Sequence, residues 1–485
     1  MRVCLINPIL FSFQRVRGRS LRNNIGVSFC PPLGLCYIAN VLEKNGIEVK
    51  IIDRNALMTK NHCNQPVVDG ITDSELRKFE PDVVGITVTT PTFFDVKSNI
   101  IRAIRKAGGK ITIVVGGPHA SALPEDILQD NHDIDIVCRG EGELTMLEIA
   151  QGEKSENIPG ISYRDGEKII SNPDRKPHDR IDDFCFPARH LVDMGFYGKP
   201  NPYVMHGLYL KSTTIFTSRG CPYDCTFCAG RVALGRTVRF QSPDLVIEEI
   251  DKIVTNYKIE GIYFADDMFD IDKDRAISIC QKLIDRKIHK NIRWNAQLRA
   301  NSMDRDLLEL MKQAGCVRVD VGFESGSQKT LDIINKKTTV AQNYRAARML
   351  HEVGLQVHAN IIVGIPGEDL EDLNKTKKFM REIKPQWIGF GEFVPLPGSK
   401  LFDELVDRGK VTKEEVETLG SFNFTKLDNE TFERFIRVIR AKIVVPTRIK
   451  NYLIHNRKKP AAYFYLLKLV VEYVVDKCRT VLKLS

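Results

Sequence analysis

The sequence lacks any long block of charge of one sign. Its 71 Lys and Arg residues outnumber its 62 Asp and Glu residues only modestly, which gives a formal net charge of +9. The basic residues are spread among the acidic ones, whereas nucleic-acid-binding proteins usually cluster them on one surface. The charge therefore gives no reason to expect a nucleic-acid partner.

The sequence also lacks an export signal and a disulfide framework. The first apolar run is broken by Asn7-Pro8 before it reaches the length of a signal-peptide core. The 12 cysteines are mostly scattered singly through apolar segments, as is typical of reduced, buried thiols. We therefore expect a cytoplasmic protein.

The predicted C-terminal helix, residues 462–483, has too many charges for a membrane span. Five charged residues recur along one of its faces at spacings of three and four: Lys468, Glu472, Asp476, Arg479 and Lys483. The basic stretch Arg457-Lys458-Lys459 before it suits peripheral contact with an anionic membrane surface. The simpler interpretation is a helix packed on its own domain, and both stay open.

Apolar runs alternate with helical periodicity over residues 1–150. The predicted helices 34–44 and 95–106 separate these runs. Such alternation is typical of a doubly wound, Rossmann-like α/β domain, in which ligands bind beyond the carboxyl ends of parallel strands. The predicted strands are residues 3–6, 49–52, 83–88, 111–115 and 134–138.

The rest of the chain divides into three further parts. Residues 151–210 are rich in Pro, Asp, Gly and Arg and are predicted to be a linker with one hairpin around Asp165-Gly166. Residues 211–406 contain six strand and helix units, which predict a partial (β/α)6 barrel with active groups on its C-terminal rim. Residues 407–485 are predicted to be helical, divided near Pro446 and Pro460. The predicted barrel strands are 212–217, 261–264, 293–296, 318–323, 358–363 and 387–390.

One group of cysteines is tightly clustered, in a CxxxCxxC pattern after the first barrel strand: Cys221, Cys225 and Cys228. Thiolates are ligands of iron-sulfur clusters, and a [4Fe-4S] cluster normally takes four cysteines. Because the next cysteines, Cys280 and Cys316, stand alone in apolar segments, one iron is expected to stay open, as in catalytic metal sites. The alternatives are redox thiols and a structural zinc site, for which His206 is the nearest upstream candidate ligand.

At these residues the sequence resembles the radical S-adenosylmethionine (SAM) superfamily, whose signature has an aromatic residue before the last cysteine, here Phe227. Three later strand ends resemble the family's SAM-contact segments, in the expected order: residues 263–269, 321–325 and 361–368. The resemblance implies that the three cysteines are catalytic and hold a [4Fe-4S] cluster whose open iron binds SAM. It also implies reductive cleavage of SAM to methionine and a 5′-deoxyadenosyl radical, which abstracts hydrogen from a substrate.

The resemblance also implies SAM-binding roles for individual residues. Asp266 or Asp267 would lie near the SAM amino group, and Glu324 near its ribose or amino end. Arg299 would face the SAM carboxylate, and the backbone of residues 362–364, from Ile362 to Gly364, would lie against the adenine. These pairings are chemically reasonable, although each side chain could equally form a salt bridge on the barrel rim.

The N-terminal domain resembles the cobalamin-binding domain of class B radical SAM enzymes. The resemblance is carried by three segments: residues 31–35, 116–121 and 139–143. It implies that Gly116, Gly117, Gly140 and Glu141 lie against cobalamin, because glycines at strand ends let a bound group approach the backbone.

A cobalt-ligating histidine is missing from the expected place. Cobalamin domains of the methionine synthase type carry DxHxxG after the first strand, and residues 7–12 here read Asn-Pro-Ile-Leu-Phe-Ser. His132 lies too late in the domain and is interpreted as a surface residue, and His119 is not assigned to cobalt. Cobalamin remains an expected cofactor, since class B relatives are thought to bind it without a protein histidine.

With cobalamin, methylation of an unactivated carbon or phosphorus is the natural reaction, while relatives with this architecture also catalyse rearranging and ring-forming reactions. The expected partners are a small-molecule or lipid-like substrate and a reductant such as flavodoxin or ferredoxin. A tRNA methylthiotransferase-like enzyme is one alternative, which would need an N-terminal cluster from cysteines such as Cys4, Cys30, Cys36 and Cys63. A non-catalytic cobalamin or redox sensor is the other.

Overall fold

The structure is a computed structural model, and it describes residues 1–16, 19–26, 29–417 and 422–467, apart from the side chains of residues 11–28. In these ranges two seven-stranded sheets organise the chain. No helix found there is both long enough and apolar enough to cross a bilayer. The predicted helix over residues 462–483 lies mostly outside the described part, in which residues 460–467 are helical.

The N-terminal part of the chain forms an α/β domain around the first sheet. Its strands are β1 (Arg2–Asn7), β2 (Leu10–Val16), β3 (Arg19–Gly26), β4 (Glu48–Asp53), β5 (Val83–Thr87), β6 (Thr112–Gly116), β7 (Ile136–Cys138), β8 (Ile161–Asp165) and β9 (Lys168–Ser171). Its helices are α1 (Leu33–Lys44), α2 (Arg54–Lys60), α3 (Gln65–Phe79), α4 (Phe93–Asp95), α5 (Ile101–Ala107), α6 (Pro118–Ala122), α7 (Pro124–Asp130) and α8 (Glu143–Ala150). The sheet order is β4-β1-β5-β6-β7-β8-β9, whereas β2 and β3 form a separate hairpin for which the sequence pattern predicts no strands.

Helices cover both faces of this sheet. Along β1, Val3 and Leu5 join one hydrophobic core with residues of α1 and α8, whereas Cys4 and Ile6 join a second core on the opposite face. Alternate side chains of a strand point to opposite faces, so a strand buried on both sides has a continuous apolar sequence. The pairs from β4 to β7 are all parallel, and the predicted doubly wound fold is confirmed.

The hairpin predicted around Asp165-Gly166 is formed by β8 and β9. It is not isolated in a linker, because β8 pairs antiparallel with β7 and extends the first sheet. The hairpin pairs with the free edge of the sheet through main-chain hydrogen bonds. Main-chain pairing has no side-chain pattern, so the sequence of this segment did not predict it.

The second sheet is the predicted partial barrel. Its seven strands are β10 (Pro200–Asn201), β11 (Leu210–Ile215), β14 (Gly261–Phe264), β15 (Arg293–Leu298), β16 (Cys316–Glu324), β17 (Gln356–Val363) and β18 (Trp387–Glu392). Two short strands, β12 (Ser218–Arg219) and β13 (Arg239–Phe240), form a separate two-stranded sheet. Its helices are α9 (Met194–Tyr197), α10 (Gly230–Leu234), α11 (Pro243–Tyr257), α12 (Lys273–Asp285), α13 (Arg305–Gln313), α14 (Gln328–Ile333), α15 (Val340–Val353), α16 (Leu370–Glu382) and α17 (Lys400–Asp407). β11, β14, β15, β16, β17 and β18 are parallel neighbours in that order, so the six predicted barrel strands are confirmed.

Side-chain direction separates the outside of the barrel from its lumen. Val319, Val321 and Phe323 of β16 lie in the core between the sheet and its helices. Because side chains alternate along a strand, Asp320 and Glu324 face the other side, into the lumen. Glu324 is near the carboxyl end of its strand, where the loops that carry the cysteines also lie.

The C-terminal part consists of α18 (Lys413–Glu417), α19 (Asn429–Ile439) and α20 (Val445–His455). A π-helical turn, Arg440–Val444, joins α19 to α20 without a break. The predicted division near Pro446 is therefore a local widening of one helical run, as expected where proline cannot donate a main-chain hydrogen bond.

Candidate active site

The loop that carries the cysteine triplet is anchored at both ends. β12 before it pairs antiparallel with β13 after it. The buried carboxylate of Asp266 accepts hydrogen bonds from the main-chain N–H groups of Thr217 at 2.6 Å and Ser218 at 3.0 Å. Gly220 opens the loop with φ +96°, and a Cβ there would lie 2.3 Å from the carbonyl oxygen of Thr237. Only glycine fits this turn.

A cavity of about 170 Å³ opens at the triplet, on the C-terminal rim of the barrel. It brings together seven of the residues singled out in the sequence: Cys221, Cys225, Phe227, Cys228, Asp267, Arg299 and Glu324. It is also lined by Tyr223, Gln297 and Lys336, for which no sequence motif predicted a role. Lys336 follows a short helix far along the chain, so only the fold brings it here.

The spacing of the three thiols fits a cluster better than a single ion. Among the described residues, the only three-residue group whose ligand atoms lie within 4.8 Å of one another is elsewhere and contains no cysteine. The thiolates around one tetrahedral zinc ion would stand closer than that, given Zn–S bonds of about 2.3 Å. His206, the candidate fourth zinc ligand, does not line this cavity.

Arg299 is the cation that faces the triplet. Its Nη1 lies 3.8 Å from Cys225 Sγ, and its guanidinium stacks over the Tyr223 ring at 3.7 Å from the ring centroid. Nη2 is buried without a hydrogen-bond partner among the described residues. A buried guanidinium with a free N–H can receive a carboxylate, so this arrangement fits SAM bound beside the cysteines.

Glu324 is held in a strained conformation by an ion pair. Its φ is +60°, which is uncommon for a residue with a side chain. Its Oε1 accepts a hydrogen bond of 2.6 Å from Lys336 Nζ, and both side chains are buried. A Cβ on Gly322 would lie 2.4 Å from that oxygen, so the glycine makes room for the pair.

Three of the candidate residues do not line this cavity. Asp266 does not line the cavity, because Thr217 and Ser218 use its carboxylate to hold the loop. Of the two adjacent aspartates, Asp267 is the one that faces the cavity. Ile362 and Gly364 also lie outside its lining, at the carboxyl end of β17, where Ile362 packs against a neighbouring hydrophobic cluster.

Glu368 gives the structure a pH-dependent contact beside this rim. Burial raises its pKa to about 7, although N–H groups of Gly364 and Ile365 and the Thr330 hydroxyl, all within 3.1 Å, favour the ionised form. Between about pH 4.5 and about pH 7, Glu368 therefore keeps a proton in the folded protein that it releases in the unfolded chain. Stability should consequently fall as the pH rises from about 5 to about 8.

The substitution Glu368→Gln should remove this component of the pH dependence. We expect the unfolding free energy to change less between about pH 5 and about pH 8, by an amount on the order of 1–3 kcal/mol. Urea unfolding of the wild type and variant at both pH values measures it. Glu371→Gln, at an exposed position in the same segment, is the control and should leave the slope unchanged. An unchanged slope in Glu368→Gln would show that Glu368 does not carry the effect.

A second cavity, of about 370 Å³, lies at the carboxyl ends of β5, β6 and β7. Gly116, Gly117, Gly140 and Glu141, the four positions expected to meet cobalamin, all line it. It extends between the sheet and helices α1 and α8, where its walls are mainly apolar: Leu5, Leu35, Ile38, Val114 and Met146. An open apolar slot beside glycine turns fits a large planar cofactor with a tail.

No histidine is among the residues lining this described cavity. His119 is buried elsewhere, with its ring against Phe93 and Nδ1 3.3 Å from the Thr90 hydroxyl. Burial lowers the pKa of His119 to about 4, so it is neutral. His132 is exposed, as predicted. The cavity therefore fits cobalamin without a histidine ligand.

Glu141, in the N-terminal domain, forms ion pairs with two arginines that flank the cysteine loop in the barrel domain. It accepts a bidentate pair of hydrogen bonds from Arg239, at 2.8 and 2.9 Å, and a third of 3.1 Å from Arg219. Arg219 also donates to Glu143 at 2.7 Å. Burial alone would raise the pKa of the Glu141 carboxyl, but the two arginines lower it. The expected cobalamin contact of Glu141 is thus combined with an interdomain ion-pair network that the sequence did not reveal.

Comparison with known proteins places this geometry in a family. The Radical SAM superfamily profile matches residues 215–380, and the B12 binding domain profile matches residues 26–150. The chain is 32% identical over 384 residues to an uncharacterized methyltransferase of Pyrococcus horikoshii, covering 77% of this chain and 78% of that protein. The chain belongs to the cobalamin-binding branch of the radical SAM superfamily.

Two further comparisons agree with this assignment. An anaerobic magnesium-protoporphyrin IX monomethyl ester cyclase of Rubrivivax gelatinosus is 30% identical, over 85% of this chain and 71% of its own length. The fold matches that of the radical SAM methyltransferase TsrM from Kitasatospora setae, solved with cobalamin and a [4Fe-4S] cluster, with TM-score 0.65 and 19% identity. That alignment covers 84% of this chain and 75% of TsrM.

The protein is therefore a radical SAM enzyme, and its cofactors are a [4Fe-4S] cluster, SAM and cobalamin. Radical SAM enzymes generally need a reductant and a small-molecule substrate. The methylthiotransferase and sensor alternatives are not favoured. Residues 26–150 match a B12 binding domain. A methylthiotransferase would instead carry a domain with a second cluster in this part of the chain.

Proposed function

We propose that this radical SAM enzyme transfers a methyl group to an unactivated carbon or phosphorus of a small organic substrate. One observation carries the proposal: the short helix α10 separates the two cavities. Gly230 and Arg231 line the cysteine cavity, and Ala233 and Leu234 line the cobalamin cavity. A methyl carrier and a hydrogen-abstracting centre must both reach one substrate atom, and this arrangement keeps their sites adjacent.

When bound, the cluster and SAM supply hydrogen abstraction, and cobalamin supplies methyl transfer. We propose that Cys221, Cys225 and Cys228 hold the cluster. Arg299 orients the SAM carboxylate and Asp267 its ammonium group, since each presents the opposite charge in the cavity. In this proposal Phe227, Glu324 and the Ile362 to Gly364 backbone complete the SAM site, and Gly116, Gly117, Gly140 and Glu141 bound the cobalamin.

The substitution Arg299→Gln tests the proposed SAM carboxylate contact. Loss of a charge-assisted hydrogen bond costs about 1.5–3 kcal/mol, so SAM affinity should fall by about tenfold to a hundredfold. The cluster iron content should stay unchanged, because the cysteines remain. Equilibrium binding of SAM to the reconstituted, unreduced enzyme measures the effect. Arg236→Gln is the control, because Arg236 is an exposed arginine that donates to the carbonyl oxygen of Pro222 in the cysteine loop; equal affinities of the two variants would contradict the assignment.

Product analysis tests the proposed reaction. Extracts of a deletion strain, incubated with the reconstituted enzyme, a reductant and SAM labelled in its methyl group, should yield a product heavier by one labelled methyl. The enzyme with Cys225→Ala serves as the control. A product that forms without gaining the label would instead indicate a reaction other than methyl transfer, such as the cyclase activity named for the Rubrivivax relative, and would overturn the proposal.

We further propose that the electron donor is a flavodoxin or ferredoxin and that the C-terminal helices touch an anionic membrane surface. Support for the membrane contact comes from exposed apolar side chains close to Arg457-Lys458-Lys459: Ile449, Ile454, Tyr463, Phe464 and Leu467. A lipid-like substrate would then be delivered from that surface.

The double substitution Phe464→Asp with Leu467→Asp should abolish sedimentation of the protein with anionic vesicles. Equal sedimentation of the wild type with neutral and with anionic vesicles would contradict the proposal.

A further inference from the structure

We propose that His206, Asp320 and His358 bind a divalent transition-metal ion in the barrel lumen, at a site separate from the cysteine triplet. Among the described residues, these three form the only group of histidine, cysteine and carboxylate side chains whose ligand atoms all lie within 4.8 Å of one another. Two imidazoles and one carboxylate are a ligand set used by zinc and by other first-row transition metals.

Three different elements supply these side chains. His206 lies in the segment before β11, Asp320 is in the middle of β16 and His358 is near the start of β17. Asp320 and His358 are register partners on adjacent parallel strands. Asp320 precedes Glu324 by four residues on the same face, which places it about 13 Å deeper in the lumen than the SAM-side rim. The proposed site therefore lies deeper in the lumen than the cysteine cavity.

The distances match a ligand set around a small ion. His206 Nε2 lies 2.9 Å from Asp320 Oδ2, and His358 Nδ1 lies 3.2 Å from Asp320 Oδ1. The two imidazole rings stand 4.3 Å apart between centroids, inclined by 57°. Ligand atoms about 2.0–2.2 Å from one ion lie roughly 3 Å from each other, so little movement is needed to coordinate it.

His358 is buried with its hydrogen-bonding capacity unused. Its side chain is 6% exposed, and neither Nδ1 nor Nε2 has a hydrogen-bond partner in the described residues. Nδ1 lies 3.2 Å from Asp320 Oδ1, the distance of an ion-pair contact. A buried polar group without a partner is costly, and an ion or ordered water is the usual explanation. An ion between Nδ1 and the carboxylate would use that lone pair.

The backbone at His206 is held in place for this contact. His206 has φ +44°, an uncommon conformation for a residue with a side chain. Arg318, which is fully buried, donates to the carbonyl oxygens of Met205, at 2.9 Å, and of His206. A strained residue kept in place by a buried arginine is a frequent property of functional sites.

Charge limits the kind of ion that fits. Arg318 is the nearby fixed cation, but its guanidinium is directed to main-chain carbonyls and to Gln356, away from the ligand atoms. Asp320 supplies one negative charge, so a borderline metal that accepts neutral imidazoles fits better than calcium or magnesium, which prefer several oxygens. Three protein ligands leave a further coordination position for water or a polar group of the substrate. His206, at 24% exposure, leaves an entry path for the ion.

Metal analysis of the holoenzyme tests this site. The full chain is reconstituted anaerobically so that the cluster occupies the cysteines, equilibrated with zinc, desalted, and analysed for zinc and iron by mass spectrometry. We expect about one zinc ion per chain in addition to the cluster iron. His206→Ala and Asp320→Asn should reduce zinc to background and leave the iron unchanged, which also reports that the barrel is folded.

His190→Ala is the matched control, because His190 pairs with a carboxylate, Glu43, outside the lumen. It should retain zinc. Absence of stoichiometric zinc in the wild type, or retention of zinc by the folded His206→Ala and Asp320→Asn variants, would overturn the proposal. If both variants lose iron, cobalt replaces zinc in the wild type, and the spectrum of the cobalt-free holoenzyme is subtracted. A difference spectrum with cobalt d–d bands and no added thiolate-to-cobalt band supports the histidine site, and one with an added thiolate-to-cobalt band, or with no d–d bands, overturns it.

Discussion

Replacing Cys225 with alanine should abolish both the iron-sulfur chromophore and the release of 5′-deoxyadenosine from SAM. In the proposed site the triplet supplies three thiolates from one anchored loop, and a cluster held by only three cysteines should not assemble when one of them is lost. We expect SAM cleavage to fall to the level seen without enzyme. Visible absorption, iron content and chromatographic detection of 5′-deoxyadenosine measure the result, and Cys221→Ala and Cys228→Ala should behave in the same way.

Cys63→Ala is the control for this experiment. Cys63 is exposed in the N-terminal domain and does not line the cysteine cavity. This variant should keep the chromophore and the activity, and it also tests whether an N-terminal cysteine contributes to a second cluster. Continued SAM cleavage by Cys225→Ala would contradict the assignment of the triplet.

Gly34→Leu should weaken cobalamin binding while leaving the fold intact. Gly34 lies in α1 and lines the larger cavity, and a Cβ at this position would meet nothing within 4 Å. A leucine can therefore replace it without a backbone clash, but its side chain would occupy space in the cavity. Overpacking costs about 1–3 kcal/mol, which corresponds to about fivefold to a hundredfold weaker binding. Cobalamin content after reconstitution, measured from its absorption, checks this result.

Gly70→Leu is the matched control, because Gly70 is an exposed helical glycine, in α3, with open space around its Cβ position. Both variants should retain the wild-type circular dichroism and the cluster iron, and only Gly34→Leu should contain less cobalamin than the wild type. Under the proposed function its methyl transfer should also fall. Full cobalamin occupancy in Gly34→Leu would show that the cofactor binds elsewhere.

Sequence patterns were sufficient for the parallel strands of both sheets because their apolar residues follow the burial of each strand. Val3 to Ile6 is a continuous apolar run buried on both faces, whereas in Arg318 to Phe323 the core residues Val319, Val321 and Phe323 alternate with residues that face the lumen. Cap residues were equally direct: the side chain of Ser242 accepts from Leu245 N at the start of α11, with Pro243 in the first turn. Helix caps depend on residues that are adjacent in the sequence, so the sequence alone predicts them.

The choice between neighbouring side chains depended on contacts that sequence spacing does not contain. Asp266 and Asp267 are adjacent, and only the fold turns Asp266 toward Thr217 and leaves Asp267 in the cavity. The pairing of Glu141 with Arg239 joins residues 98 positions apart. Lys336 and Glu324 likewise pair only in the folded chain, where α14 lies between them in sequence. Such pairs form only when two elements distant in sequence pack together.

His206 illustrates the same limit. From sequence its proximity to Cys221 made it a candidate zinc ligand beside the triplet. In the structure it contacts Asp320 and His358, deep in the lumen, and does not line the cysteine cavity. Distance along the chain was misleading here because the strand β11 lies between the two positions and carries the chain across the barrel.

Under the proposed function, one chain cleaves SAM by a radical route and uses cobalamin to transfer SAM's methyl group. Both activities are measured together from 5′-deoxyadenosine and S-adenosylhomocysteine in one anaerobic reaction of the cobalamin-loaded enzyme with reductant and cell extract. We expect both products to form in comparable amounts, Cys225→Ala to form no 5′-deoxyadenosine, and Gly34→Leu to form less S-adenosylhomocysteine than the wild type. Formation of 5′-deoxyadenosine without S-adenosylhomocysteine by the cobalamin-loaded wild type would contradict the proposed function.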